Sequence, residues 1–235
     1  MTPERRWAIG RIATTAGVLS AGTIAFGVLV AAPAYQGTAG ETYSPLNHWI
    51  SELGEVGVSA RASAFNLALV AAGMEFVMFM VGLAQTSPSR LRWVFGPVGA
   101  VAGLGGAFVG MFPMNHPTEH VIGASLFFDL AWIAVGLASI TFVQHPEPRF
   151  PRWLALLGGL AVATFLAFLV SLRVDDVARA RMAATGPISG RPEVWIAPIL
   201  EWATLASILL WTVCTSLTWR RTLGSRARAR GKARP

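Results

Sequence analysis

The residues best able to do chemistry stand in two short segments. In Gly110-Met111-Phe112-Pro113-Met114-Asn115-His116-Pro117-Thr118-Glu119-His120 two histidines lie four apart, a spacing that can place two imidazoles on one metal ion. In Tyr43-Ser44-Pro45-Leu46-Asn47-His48-Trp49-Ile50-Ser51-Glu52-Leu53-Gly54-Glu55, Ser44 followed by Pro45 reads as a helix cap with proline in the first turn, and Gly54 as the stop. A short helix there sets His48, Ser51 and Glu52 on one face and Leu46, Trp49, Ile50 and Leu53 on the other. The chemistry expected of the two segments together is a zinc site acting on a lipid ester or amide. His48, His116 and His120 are its ligands, Glu52 a ligand or general base, and Ser44 a hydrogen-bond partner, with the metal lowering the pKa of a bound water. The same residues also fit a polar pocket without metal, and histidines at a membrane interface can simply hydrogen-bond headgroups.

Three further carboxylates fall inside apolar runs, where an ionisable group is costly and by default functional. Asp129 lies roughly 12 Å past the start of its run and Glu201 roughly 9 Å, at a helical rise of about 1.5 Å per residue. Both belong to the half nearer the histidine-bearing loops and are assigned to the pocket. Glu75 is deeper, roughly 20 Å in by the same rise. His120 and Asp129 are nine positions apart, which places them on opposite sides of a regular helix, so they are not expected on one ion.

The elements that must position these groups are transmembrane helices. Of 235 residues 54% are hydrophobic and 13% charged, about half the charged fraction of an ordinary soluble domain. Apolar runs of spanning length cover 12–34, 62–83, 93–113, 121–143, 153–172 and 195–219. They predict an all-α bundle of six spans, followed by a basic tail at 220–235. The first run follows Arg5, Arg6 and Arg11 and ends in Ala31-Ala32-Pro33-Ala34. Its length and the five later runs make it an anchor rather than a cleaved signal.

Arginines set the expected orientation. Arg5, Arg6 and Arg11, then Arg90 and Arg92, then Arg149 and Arg152, and finally the tail fall on one side, which places both termini in the cytoplasm. Seven of the 19 Lys and Arg residues lie in the tail, directly after a span. There they meet anionic lipid, so nucleic acid is not expected as a partner. Gly96, Gly99, Gly103, Gly106 and Gly110 form a stripe that lets a neighbouring helix come close. The lone cysteine, Cys214, permits no intramolecular disulfide.

The run Ile50-Ser51-Glu52-Leu53-Gly54, then Ala64-Phe65-Asn66-Leu67 with Gly73, then Gly110-Met111-Phe112-Pro113 with a histidine after it, resembles the bacterial membrane family called domain of unknown function 998. The resemblance runs from about Ser44 through the fourth span and weakens afterwards. It implies a multispan bundle and brings no activity, substrate or cofactor. A fainter likeness is to the membrane hydrolases that include alkaline ceramidases and adiponectin-type receptors. Their Ser-x-x-x-His and His-x-x-x-His spacings are matched by Ser44/His48 and His116/His120. This chain departs from them in having six spans, and in carrying its motifs in loops among the first four helices.

Two other functions compete with lipid hydrolysis. One is a non-catalytic lipid-binding or sensing protein, its pocket reading a headgroup through Arg173, Arg179, Arg181 and Arg191. The other is a proton-coupled transporter with Glu75, Asp129 and Glu201 as relay groups. In each case the partners expected are membrane lipids, with homo-oligomerisation left open. The location expected is the bacterial cytoplasmic membrane.

Overall fold

The computed structural model describes residues 1–174 and 191–232, with side chains described as far as residue 224. Arg179 and Arg181 lie outside the described residues. The described chain forms six long helices: α1 Pro3–Ala31, α2 Ala62–Thr86, α3 Arg92–Met111, α4 Pro117–Gln144, α5 Leu154–Val174 and α6 Ile196–Lys232. All six carry stretches long and apolar enough to cross a membrane.

Helix ends run past the apolar stretches because capping, not hydropathy, starts and stops a helix. Thr2 Oγ1 accepts the Arg5 amide at 3.3 Å and Pro3 occupies the first turn, so α1 begins well before the apolar run at residue 12. At the far end α6 continues through Arg220 and Arg221.

Each helix packs on its neighbour in sequence, and α6 closes the ring by lying against both α5 and α1. Gly10 of α1 meets Trp219 and Leu223 of α6, so the two termini share one end of the bundle. The other end carries the loops 35–61, 112–116 and 191–195 and is termed the loop end below. The main core is aromatic and aliphatic, with Phe79, Met80, Phe95, Phe142, Phe165 and Trp211 nearly or fully buried. Phe26, Leu29, Leu67, Leu156 and Val170 project outward as an apolar perimeter suited to lipid. At the terminal end Arg149 is buried. Its guanidinium bonds the Glu147 carboxylate at 2.7 Å and the Thr86 carbonyl at 2.9 Å, tying the α4–α5 link to α2.

Of the glycine stripe on α3, Gly96, Gly99, Gly103 and Gly110 face α2, whereas Gly106 lies nearest Phe127 of α4. A Cβ added to Gly73 would lie 2.5 Å from the Ala107 amide nitrogen and 2.6 Å from the Gly103 carbonyl oxygen, both backbone atoms that cannot step aside. Without a hydrophobic driving force between helices in lipid, such close approach is what holds them together. Gly73→Leu is therefore expected to cost at least the roughly 1–3 kcal/mol of an overpacked core. A thermal-melt assay in detergent should show a lower midpoint, whereas an unchanged midpoint would mean that α2 and α3 are not in contact there.

Candidate functional site

The site is assembled at the loop end around a buried carboxylate. Glu52 is 1% exposed, on a 3₁₀ turn at Ile50–Gly54. Arg191 grips it with both nitrogens, Nη1 to Oε1 at 3.0 Å and Nη2 to Oε2 at 2.8 Å, and Nη1 also bonds the Asn47 carbonyl at 2.6 Å. The Tyr35 hydroxyl donates to Oε2 at 3.1 Å and the Trp49 amide to Oε1 at 3.0 Å. A buried charge survives only when paired and fully bonded, and Glu52 meets both conditions.

Further bonds lock the same loop. The Ile50 amide donates to Glu201 Oε2 at 2.7 Å, and the Trp195 amide to the Leu46 carbonyl at 2.8 Å. Asn66 Nδ2 donates to the Gly54 carbonyl at 2.9 Å, and Asn115 makes a two-way amide pair with Val56 at 2.7 and 2.9 Å. Residues from α1's end, α2, α4's approach and α6 thus converge on residues 47–56. Burial, followed by the charge and hydrogen bond of Glu52, pushes the Tyr35 phenol well above its ordinary range. Burial, followed by the charge of Glu201, does the same to Tyr43. Both phenols are fixed as protonated donors, Tyr35 to Glu52 and Tyr43 to the Trp49 carbonyl at 3.0 Å.

The continuous helix expected from Ser44 to Gly54 does not form. The cap is real: Ser44 Oγ accepts the Leu46 amide and the Ser44 carbonyl accepts the His48 amide at 2.9 Å. The next two amides, of Trp49 and Ile50, are claimed by the carboxylates of Glu52 and Glu201 instead of by helix carbonyls, so the chain turns and restarts as the 3₁₀ turn. His48 and Glu52 are consequently buried along with Ile50 and Leu53, while Leu46 is exposed. The amphipathic split expected of this segment is not what the chain adopts.

His48 packs against Tyr35 and Tyr43, with ring centroids 5.3 and 5.2 Å away. Its Nδ1 is 2.7 Å from Asn47 Oδ1 and 3.3 Å from the Ser44 amide nitrogen, and Asn47 commits its Nδ2 to the Pro192 carbonyl. Nε2 is enclosed with no hydrogen-bond partner among the described residues. Burial holds the imidazole below its ordinary range, and Arg191 adds to this, while Glu52, the Ser44 amide and Glu41 pull the other way. The folded chain then refuses a proton that the unfolded chain takes up near pH 6.5. Stability present above that pH is lost as pH falls through it. The margin by which the wild type outmelts His48→Gln should shrink between pH 7.5 and 5.5, and a constant margin would contradict the assignment.

Beside this clasp lies a cavity of about 370 Å³ between α4, α5 and α6, roofed by Trp49, Ser51 and Glu55. Val121, Ala124, Phe128, Phe168, Leu169 and Leu172 supply apolar wall, and His120, Asp129 and Glu201 supply polar groups. His120 and Asp129, half a turn apart on α4, reach the same cavity as the two edges of one broad face whose middle is Val121, Ala124, Ser125 and Phe128. His120 Nδ1 is held by the Phe112 carbonyl at 3.0 Å. A smaller cavity of about 110 Å³ in the bundle interior shares Ser51, Phe128 and Glu201 with the first and extends to Thr212.

The residues expected from the sequence therefore divide into two groups joined by Glu201. His48, Glu52 and Arg191 form the clasp, with Ser44 at its edge. His120 and Asp129 line the cavity. His116 is exposed and outside both groups, as is Arg173 at the end of α5. Glu75 lines neither cavity, and its Oε2 is enclosed without a hydrogen-bond partner among the described residues. Among the described residues no three His, Cys, Asp or Glu side chains are grouped to hold a metal ion. Of the donor set expected for zinc, His48 and Glu52 stand in the clasp, His120 lines the cavity and His116 lies outside both. The sequence reading missed Tyr35, Tyr43 and Asn47, although the chain's two tyrosines both falling in this one loop was a signal in plain sight.

Six apolar helices in a closed ring define a multi-pass α-helical membrane protein. The chain belongs to the family described as Protein of unknown function (DUF998), whose model matches residues 23–218. That match reaches into α1 on one side and well into α6 on the other, beyond the segment where the resemblance was most legible. No curated protein and no solved structure matches the chain.

Four of the family-like residues, Asn66, Gly110, Glu52 and Phe112, have a common physical role. Asn66 holds the Gly54 carbonyl, and a Cβ on Gly110 would sit 2.5 Å from the Asn66 carbonyl oxygen. Glu52 anchors the clasp, and the Phe112 carbonyl fixes His120. These contacts seat the loop over the helices, whereas Leu67 faces outward and Gly73 packs α2 on α3.

Proposed function

We propose that this protein binds an amphipathic molecule, a membrane lipid or a lipid-like compound, in the cavity between α4, α5 and α6. The observation that carries the reading is the composition of that cavity. One apolar wall runs down α4 and α5, and two membrane-embedded carboxylates, Glu201 and Asp129, meet it there. Glu201 spends Oε2 on the Ile50 amide, whereas Asp129 has no described bond, and a carboxylate at that depth is costly unless it has something to bind. A ligand with a chain for the wall and a polar group for the acids satisfies both surfaces at once. The clasp is the scaffold, and it sets Trp49, Ser51 and Glu55 over the cavity.

In the cell the protein is placed in a bacterial cytoplasmic membrane with both termini inside. The distribution of arginines supports this orientation, and it turns the cavity toward the outer leaflet. Native mass spectrometry of gently solubilised protein tests the binding reading. A retained lipid is expected on the wild type, and its loss from Ala124→Trp, which puts an indole into the cavity, is expected with it. Equal retention by both proteins would dismiss the site.

A further inference from the structure

We propose that the smaller cavity in the bundle interior is a second apolar subsite for the same ligand, receiving the free end of its hydrocarbon chain once the chain has passed Glu201. The inference deepens the amphiphile reading and rests on it.

The two cavities meet. Ser51, Phe128 and Glu201 belong to both linings, so the outer cavity gives onto the inner one at these side chains. Glu201 and Thr212, eleven residues apart on α6, both line the inner cavity, which at a rise of about 1.5 Å per residue carries it roughly 16 Å along the helix. It leads from the loop end toward the terminal end, the direction a chain must take when its polar group stays in the outer cavity. An apolar cavity of about 150 Å³ takes in a benzene-sized group, so the inner cavity, at about 110 Å³, suits the last few carbons of a chain and not a second headgroup.

The inner lining excludes a polar occupant. Ile24, Leu69, Phe76, Leu205 and Ile208 supply apolar wall. The Ser20 hydroxyl is spent on the Ala72 carbonyl at 2.9 Å, and at the far end Thr212 Oγ1 has no hydrogen-bond partner among the described residues. A buried water needs two to four polar partners, and one hydroxyl at that end does not supply them. A hydrocarbon end needs none, and it restores the dispersion contacts that a void leaves unmade.

Gly106 gives an independent sign that this space is open. A Cβ on Gly96, Gly99, Gly103 or Gly110 would come within 2.8 Å of an atom of α2, so each of those glycines is used up by helix contact. A Cβ on Gly106 would meet nothing closer than Phe127 Cδ2, at 3.7 Å. Gly106 lines the inner cavity, and a glycine in mid-helix is less stable there than an alanine. Its missing side chain brings no helix closer and leaves room beside the chain's path.

The experiment uses the full chain in a maltoside micelle with two photoreactive hexadecanols, one bearing a diazirine at the methyl end and the other beside the hydroxyl. Cross-linked residues are mapped by mass spectrometry on wild type, Gly106→Leu and Ala124→Trp. On wild type the methyl-end probe is expected at inner residues such as Leu69, Leu205 and Leu209, and the hydroxyl-end probe in the outer cavity, with both signals lost in Ala124→Trp. Gly106→Leu is expected to cut the inner labelling roughly fivefold or more, because leucine and chain cannot share the space without overpacking, while hydroxyl-end labelling persists. Its melting midpoint is expected to hold or rise, and a fall as large as that of Gly73→Leu would show that the space is closed and overturn the subsite. The wild-type map decides the matter even if the variant fails to fold. Methyl-end cross-links confined to the α4–α5 wall or the lipid-facing perimeter, with hydroxyl-end labelling intact, overturn the inner subsite and leave the amphiphile site standing. Absence of any labelling that Ala124→Trp removes overturns both.

Discussion

Glu52→Ala should be among the most destabilising single substitutions in the protein, at about 3–5 kcal/mol, the cost of removing one member of a buried ion pair. The size follows from what is stranded. Arg191 loses both carboxylate bonds while its side chain is only 13% exposed, and the Tyr35 hydroxyl and Trp49 amide lose their acceptor. Arg191→Ala should hurt less severely than Glu52→Ala, because Tyr35 and the Trp49 amide still bond the carboxylate. Removing both should cost less than the sum of the singles, since neither charge is then left alone. Thermal melts of the four proteins in one detergent give the cycle directly. Strict additivity would mean that the pair does not form in the folded protein.

The second large effect concerns the cavity. Ala124 sits on the middle of the α4 face that lines it, so an indole placed there occupies the volume a ligand's chain would use. Binding should fall by at least tenfold while the melting point holds, because the space filled is already open. Ile122→Trp is the matched control: Ile122 is 51% exposed and does not line the cavity, so the same added indole should face lipid and leave binding intact. Loss of binding in both variants would trace the effect to α4 itself. Loss in neither would show that the ligand goes elsewhere.

The spans were legible because hydrocarbon demands long uninterrupted apolar runs, and six such runs leave little choice of architecture. Helix ends were less so, since Thr2 and Pro3 start α1 by local hydrogen bonding that a hydropathy window does not sense. The site was legible as a membership list more than as a geometry. His48, Glu52, Glu201, His120, Asp129 and Arg191 are all at the loop end, yet their grouping differs from the expected one. The reason is the reach of the contacts: Glu201 takes the Ile50 amide across 151 residues and Arg191 takes Glu52 across 139. A local reading of Ser44-Pro45 finds the cap correctly and cannot find the distant carboxylate that ends the turn. Arg191 likewise reads as a headgroup ligand by charge and location, whereas burial commits it to Glu52.

The most direct measurement of the central claim is a crystal structure of the protein purified with its native lipids and never exposed to harsh detergent. Elongated density in the cavity between α4, α5 and α6, with a polar atom within about 3 Å of a Glu201 or Asp129 oxygen, is the expected result. A cavity filled by water alone, or closed by its own side chains while lipid lies only on the outer perimeter, would contradict it.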